Sequence, residues 1–351
     1  MSSAEVIAGI LWLALTAYAV LAGADFGGGV WDLFASGGRG ADQRRAVADA
    51  MGPVWEANHV WLIFMITGLF TAFPTAFAAL SLALYLPFTI ATFGIVFRGA
   101  SFAFRGHGPD SVGALSPWGV AFGVASVLTP FFLGTAAAAV ASGSIHASDG
   151  LLLSGFLDGW TTPLAVVIGL FALSMCAYLA ATYLMVETEG RPELQADFRR
   201  RAVFAALVSG ALALLSLVIA YFEGPRLLQS LTGRGLPLFV LALLNGPLAL
   251  WAVWRSRPRL ARVAVIAQVV FVLWAWAVGQ WPYLIPPDLT ISGTAAPSAT
   301  LTAMLVVLGA GGAVLIPSLW LLFSVFKRSA PEAPPPAVQS QAQGLPPGRR
   351  A

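Results

Sequence analysis

A carboxylate, an amide and an imidazole stand within four residues in the segment Trp55-Glu56-Ala57-Asn58-His59, at the start of an otherwise apolar stretch. The carboxylate of Glu56 and the imidazole of His59 can take up and release protons, and Asn58 can hydrogen-bond to either. Ionisable groups inside a bilayer cost about 2.5–3.5 kcal/mol each, so they are usually paired, hydrated or functional. This cluster is therefore the first candidate for a functional site.

The composition is that of a membrane protein with several spans. Hydrophobic residues make up 58% of the 351 residues and charged residues 10%, and the mean hydropathy is +0.81. Soluble domains carry about 25% charged residues. The single cysteine, Cys176, excludes a disulfide framework and a metal site built from several cysteines. The net charge of +3 is small and its arginines lie in short loops, which favours a topology signal over a nucleic-acid surface.

Runs of about 18 or more apolar residues mark membrane-spanning helices. The sequence contains nine, at residues 6–33, 53–72, 76–97, 117–140, 161–186, 202–222, 236–254, 262–280 and 300–326. It predicts an all-α polytopic membrane protein with about nine transmembrane helices over residues 1–328, and a disordered, proline-rich tail over 329–351. No basic segment or cleavage site precedes the first run, so we expect the first span to be retained.

Arginines are distributed unevenly between the two sides of these spans. Loops on one side carry clusters such as Arg199, Arg200 and Arg201, whereas the opposite loops carry only Arg226 and Arg234. Because positively charged loops stay in the cytoplasm, the bias predicts an N-terminus outside and a C-terminus in the cytoplasm.

Three charged residues on different predicted spans share one depth. At 1.5 Å per residue, Asp25 lies about 28 Å from the outer start of the first span, and Glu56 about 7 Å from the cytoplasmic start of the second. Arg98 directly follows the third span. We expect the three to line one polar pocket open to the cytoplasm, which fits a site of proton entry. We also expect Asn58 to donate to one of the carboxylates and His59 to face the same interior.

Structural roles compete with this interpretation. The three charges can instead be an ion-pair network that holds helices together. For Arg98 alone the structural role is favoured, because an arginine at a helix end can extend its guanidinium to the interface. For His59, proton relay and a hydrogen-bonded interior position are equally supported, and haem ligation is less favoured because no second histidine lies within a predicted span. Trp55 can flank a quinone or an electron path, although core packing is the simpler role.

Glycines surround Asp25 in the segment Gly23-Ala24-Asp25-Phe26-Gly27. Gly23 and Gly27 form a pair of small residues, four apart, of the kind that lets a neighbouring helix approach closely. A phosphate-binding glycine loop is excluded, because no soluble strand–turn–helix surrounds it. Close packing explains the glycines but not the aspartate between them.

Four motifs, taken together, resemble subunit II of the cytochrome bd-type quinol oxidases. They begin at Gly23 (GADFGGG), Pro53 (PVWEANHVW), Phe97 (FRGASFAFR) and Ala181 (ATYL). Their order and spacing match the family over nearly the whole chain up to Arg328. No single string is specific, but the combination is.

The resemblance implies a haem-free subunit of a terminal oxidase in the bacterial inner membrane, which passes electrons from quinol to oxygen. The implied partner is a haem-bearing subunit I with haem b, haem d and the quinol site. A small single-span subunit, membrane lipids and a structural quinone or lipid in this chain are further expectations.

The resemblance also implies a proton path from the cytoplasm to the oxygen-reducing haem, with Glu56 and Asp25 as its acidic residues. Other members carry glutamine at the position of His59, so the resemblance does not make His59 essential. The residues expected to support the path are Asn58, His59, Arg98 and Trp55.

A secondary transporter with an intramembrane carboxylate site is the alternative. Transporters place their polar groups near the bilayer midplane. Here the carboxylates are predicted near the cytoplasmic edge and the midplane is almost wholly apolar, which favours proton entry toward a partner.

Overall fold

The computed structural model describes residues 2–51, 55–105, 116–148 and 151–328, and within them the chain forms twelve α-helices and two short β-hairpins. The helices are α1 (Ser3–Leu33), α2 (Gly40–Met51), α3 (Trp55–Ala72), α4 (Pro74–Ala83), α5 (Tyr85–Arg105), α6 (Pro117–Ser142), α7 (Pro163–Glu187), α8 (Pro192–Glu223), α9 (Pro225–Thr232), α10 (Leu236–Trp254), α11 (Pro258–Gln280) and α12 (Ser298–Arg328). The strands are β1 (Ala147–Ser148), β2 (Leu151–Leu152), β3 (Tyr283–Ile285) and β4 (Leu289–Thr290), with β1 antiparallel to β2 and β3 antiparallel to β4. The predicted tail, 329–351, lies outside the described residues.

The chain divides into two compact units, Met1–Leu301 and Thr302–Ala351. The first unit contains α1 to α11, both hairpins and every residue of the predicted site. The second contains most of α12.

The prediction of an all-α polytopic membrane protein is confirmed. Within the described ranges, eight helices are long and apolar enough to cross a membrane: α1, α5, α6, α7, α8, α10, α11 and α12. The second predicted span, 53–72, corresponds to the 18-residue helix α3, which is not one of the eight. Glu56, Asn58 and His59 lie in its first two turns and lower its hydropathy.

The boundaries predicted for the third span, 76–97, are wrong. The segment forms two helices, α4 and α5, with Leu84 between them. Pro87 has no backbone N–H and cannot donate to the carbonyl of Ala83, so the helix ends there and begins again. Since α5 then continues to Arg105, Arg98 lies inside a helix rather than at its end.

Contacts between loops gather the arginines at one end of the helix bundle. Arg39, after α1, donates to both carboxylate oxygens of Asp197 on α8 at 2.8 Å, and this hydrogen bond and the charge of Asp197 raise the pKa of Arg39. Arg259, at the start of α11, lies 3.0 Å from Glu189 after α7. We call this end, which carries Arg39, Arg199 and Arg259, the basic face. Its assignment to the cytoplasm stays a prediction.

The opposite face is built from the other set of loops. His146 Nδ1, after α6, lies 3.0 Å from a carboxylate oxygen of Asp288 in the β3–β4 hairpin. The backbone N–H of Ala296 donates to the carbonyl of Ala72, the last residue of α3, at 2.8 Å. These contacts place the end of α3 opposite the basic face, so α3 runs from one face to the other despite its polar start.

Glycines on α1 allow α7 to pack directly against its backbone. A Cβ added to Gly27 would overlap the carbonyl of Cys176, and one added to Gly23 would lie 3.3 Å from Leu179. Trp31 fixes the same crossing, because its indole N–H donates to the carbonyl of Ala177 at 2.7 Å. The expected close helix approach at Gly23 and Gly27 is confirmed.

Replacing Gly27 by valine is expected to destabilise the protein, because the new side chain would push α7 away from α1. Overpacking a filled core costs about 1–3 kcal/mol, and here the obstacle is backbone. The matched control is Gly210→Val on α8, where a Cβ meets nothing within 4 Å. Thermal unfolding in detergent checks this: equal midpoints for the two variants would contradict the packing described here.

Candidate functional site

Asp25 is the buried carboxylate of the predicted site. It lies on α1 with 4% of its surface exposed. Asn58 on α3 donates from Nδ2 to a carboxylate oxygen of Asp25 at 2.7 Å, which confirms the expected hydrogen bond from Asn58. A hydrogen bond to a charged group contributes about 1.5–3 kcal/mol, so this contact ties α3 to α1 and holds the carboxylate in one orientation.

Arg98 supplies positive charge to the same site. Its side chain is only 1% exposed, and its guanidinium carbon lies 5.2 Å from the ring centroid of Phe26 and 5.1 Å from that of Phe122. Asp25 lies within its electrostatic reach. The expectation that Arg98 extends to the interface is wrong, because α5 continues for two more turns and the guanidinium is enclosed between two aromatic rings.

His59 faces the interior, as expected, and packs against aromatic rings of α1. Its ring centroid lies 5.9 Å from that of Tyr18 and 5.7 Å from that of Phe26. Phe26 therefore touches both His59 and the guanidinium of Arg98. These groups form one buried cluster with Asp25 at its edge.

Glu56 is separate from this cluster. At 100° per residue, Glu56 lies about 200° around α3 from Asn58. Asn58 is buried against Asp25, whereas Glu56 is exposed on the outer surface of the chain. The structure therefore brings together Asp25, Asn58, His59 and Arg98, and leaves Glu56 outside. The side chain of Trp55, also expected to support the site, lies outside the described part of the structure.

Two tyrosines also belong to the surroundings of Asp25. Tyr18 lies on α1 and is 5% exposed, and Tyr183 lies on α7 with the guanidinium carbon of Arg262 5.4 Å from its ring centroid. Both are within electrostatic reach of Asp25. Tyr18 shares a face of α1 with Asp25 because they are seven residues apart. This spacing was available in the sequence and could have identified Tyr18.

The chemistry open to this arrangement is proton uptake and storage. The Asn58 amide donor and the nearby Arg98 guanidinium both stabilise the ionised carboxylate, whereas burial favours its protonated form, so opposing effects act on the two protonation states. Glu56 lies outside this cluster and is exposed. Among the described residues, no group of three His, Cys, Asp or Glu side chains is arranged to hold a metal ion.

Comparison with known proteins identifies the family. A family model described as "Cytochrome bd terminal oxidase subunit II" matches residues 3–326. The chain belongs to this family. It is therefore a multi-pass protein of the bacterial inner membrane. The eight apolar helices and the bacterial relatives described below support this localisation.

Individual relatives match over shorter segments. The chain is 34% identical over 129 residues to "Cytochrome bd ubiquinol oxidase subunit 2" of Bacillus subtilis (strain 168), covering 35% of this chain and 37% of the relative. It is 30% identical over 213 residues to "Cytochrome bd-I ubiquinol oxidase subunit 2" of Escherichia coli (strain K12), covering 58% and 55%. The matched segments thus span about a third to a half of these relatives.

A more distant relative and a solved structure cover almost the whole chain. The "Putative cytochrome bd menaquinol oxidase subunit II" of Bacillus subtilis is 22% identical over 332 residues, covering 91% of this chain and 94% of the relative. A chain from the structure of bd oxidase from Geobacillus thermodenitrificans has a TM-score of 0.72 at 22% identity, covering 94% of this chain and 100% of that chain. At 22% identity, the likeness to this solved structure shows the fold alone.

Proposed function

We propose that this chain is the haem-free subunit II of a membrane quinol:oxygen oxidoreductase. In this complex a haem-bearing subunit I, with haem b and haem d, oxidises quinol and reduces oxygen to water. The observation that carries the proposal is the family match over residues 3–326. A transporter with its own substrate site has no comparable support, because the buried charged residues of the described part of the chain lie toward the basic face; they are Asp25, Asp32, Arg44 and Arg98.

The proposed contribution of this chain is a proton path from the basic face toward the oxygen-reducing haem. Glu56 begins the path, since it is exposed in the first turn of α3. Asp25 continues it, since it is buried and has both a hydrogen-bond donor and a cation nearby. By the positive-inside rule the basic face is the cytoplasmic one, so the protons would come from the cytoplasm.

The position of Glu56 supports a partner that covers α3. Val60 and Ile63 lie four and seven residues after Glu56 on the same face, and they are 59% and 60% exposed. A carboxylate beside an apolar stripe at membrane depth is costly unless another polar group meets it. We propose that subunit I covers this face and supplies the polar group that meets Glu56. A small single-span subunit, lipids and a structural quinone are further proposed partners.

The surroundings of His59 do not fit haem ligation by this chain. A haem-ligating imidazole needs open space beside its ring, whereas the ring of His59 packs against Tyr18 and Phe26 of the same chain. We propose that subunit I holds the haems of the complex, and the packing of His59 supports this.

Purified alone, the chain is expected to bind no stoichiometric haem, and to be less stable than in the complex because Glu56 would lack its partner. The absorption spectrum of the isolated chain checks this, beside the spectrum of the complex purified through a tag on the same chain. The complex should show haem bands and the isolated chain none. Stoichiometric haem in the isolated chain would contradict the assignment.

A further inference from the structure

Tyr18 is a buried polar residue that is not part of the proton path from Glu56 to Asp25. It stands at the middle of α1, the sixteenth of 31 residues. Its side chain is 5% exposed, and its hydroxyl has no hydrogen-bond partner among the described residues. A buried hydroxyl without a partner costs about 1–3 kcal/mol, so its presence at this depth calls for a reason.

The charged and titratable groups around Tyr18 are those of the candidate site. Arg98 and Asp25 lie within its electrostatic reach, as does the thiol of Cys176 on α7. His59 contributes the ring beside it, at 5.9 Å between centroids. Groups on three neighbouring helices, α3, α5 and α7, therefore surround Tyr18 on α1.

Tyr18 lies deeper in the membrane than Asp25. The two residues are seven apart on one face of α1, which corresponds to about 10 Å along the helix. Asp25 is nearer the basic face and Tyr18 is nearer the middle of the bundle. Arg98 is coupled to both, and its Nε and Nη2 have no hydrogen-bond partner among the described residues. These donors are suited to hold water between the carboxylate and the hydroxyl.

We propose that Tyr18 continues the proton path inward from Asp25, as the next group that accepts and releases a proton toward the middle of the membrane. This inference rests on the proposed function and extends it. The path then runs from Glu56 at the surface to Asp25, and from Asp25 past Arg98 and His59 to Tyr18.

The transfer at Tyr18 leaves the residue unchanged. The hydroxyl oxygen accepts a proton from the Asp25 side while its own O–H proton passes to the next acceptor. One O–H bond forms as the other breaks, so Tyr18 begins and ends neutral. No electron moves, and no oxidant or reductant is required.

Tyr178 provides a matched control. It is also a tyrosine within the bundle, 4% exposed, and its hydroxyl likewise has no hydrogen-bond partner among the described residues. It lies on α7, and neither Asp25 nor Arg98 is among the groups that act on it. Phenylalanine at either position removes one buried hydroxyl and keeps the ring, so general effects of that change on folding are matched.

The test compares Tyr18→Phe, Tyr178→Phe and wild type in the complex purified with its haem-bearing partner. The measurements are haem content, quinol-driven oxygen consumption, and the ratio of the rates in H₂O and D₂O. Tyr18→Phe is expected to slow turnover about tenfold and to raise the isotope ratio, with haem content unchanged. Removing an acid–base group usually slows a reaction by about 10²–10⁴-fold; the effect expected here is smaller because water can partly replace a hydroxyl. Tyr178→Phe is expected to match wild type.

Two outcomes would overturn the inference. One is a Tyr18→Phe complex with the turnover and isotope ratio of Tyr178→Phe. The other is a Tyr18→Phe complex that loses its haem or falls apart, which would make the hydroxyl a structural group. Asp25→Asn in the same assay separates this inference from the proposed function. If Asp25→Asn is slow and Tyr18→Phe is not, only the role of Tyr18 fails; if Asp25→Asn turns over like wild type, the path itself fails.

Discussion

Replacing Arg98 by methionine is expected to lower the free energy of unfolding by about 3 kcal/mol, because the buried Asp25 carboxylate loses the cation that interacts with it electrostatically. The variant leaves the Asp25 carboxylate buried with only Asn58 to stabilise it. It also removes the guanidinium from between Phe26 and Phe122, and a desolvated cation–π contact contributes about 2 kcal/mol. The thermal unfolding midpoint of the complex in detergent measures the effect.

The control for this change is Arg45→Met. Arg45 lies on α2 with 58% of its side chain exposed and forms a 3.6 Å ion pair with Asp42. Exposed ion pairs contribute about 0–1 kcal/mol, so this variant should unfold near the wild-type temperature. Arg98→Lys keeps the charge but lacks the flat guanidinium, and an intermediate midpoint is expected. An Arg98→Met complex as stable as Arg45→Met would show that Asp25 does not depend on this cation.

Glu56→Gln is expected to slow quinol-driven oxygen reduction by about 10²-fold, at the lower end of the effect of an acid–base group. The amide keeps the shape of the side chain but cannot take up and release a proton. Because Glu56 is exposed and separate from the buried cluster, the change should leave the packing of α3 and the haem content of the complex intact. Turnover per haem, measured with an oxygen electrode, checks the prediction.

Two further variants test whether turnover depends on a carboxylate at position 56 in particular. Glu56→Asp keeps a carboxylate and should retain most of the turnover. Glu223→Gln changes an exposed glutamate at the end of α8, opposite the basic face, and should match wild type. A Glu56→Gln complex that turns over at the wild-type rate would remove Glu56 from the path and favour a purely structural role for the polar cluster.

Much of the fold and part of the site were predictable from the sequence. Apolar runs predicted the membrane helices, because a bilayer requires length and hydropathy that composition displays directly. Depth counted along each helix placed Asp25 beside α3, and the hydrogen bond from Asn58 bears this out. Gly23 and Gly27 predicted a close helix contact, and α7 makes it.

The parts that were not predictable depend on helix rotation and on chain breaks. Glu56 was expected beside Asp25, but depth alone does not fix which side of α3 faces α1, and Asn58 occupies that side. The apolar run places Arg98 at a helix end, whereas the break before Pro87 makes α5 begin at Tyr85 and continue to Arg105. The enclosing ring of Phe122 comes from α6, and no local sequence pattern links it to Arg98.

The central claim is that this chain works as subunit II of a terminal oxidase. The most direct test is oxygen consumption by the complex purified through a tag on this chain, after addition of a reduced quinol. The account predicts a larger co-purifying subunit with haem b and haem d bands, and oxygen consumption that begins with quinol and stops when the quinol is spent. A chain that purifies from native membranes without a haem-bearing partner, or a haem-loaded complex that consumes no oxygen with quinol, would contradict it.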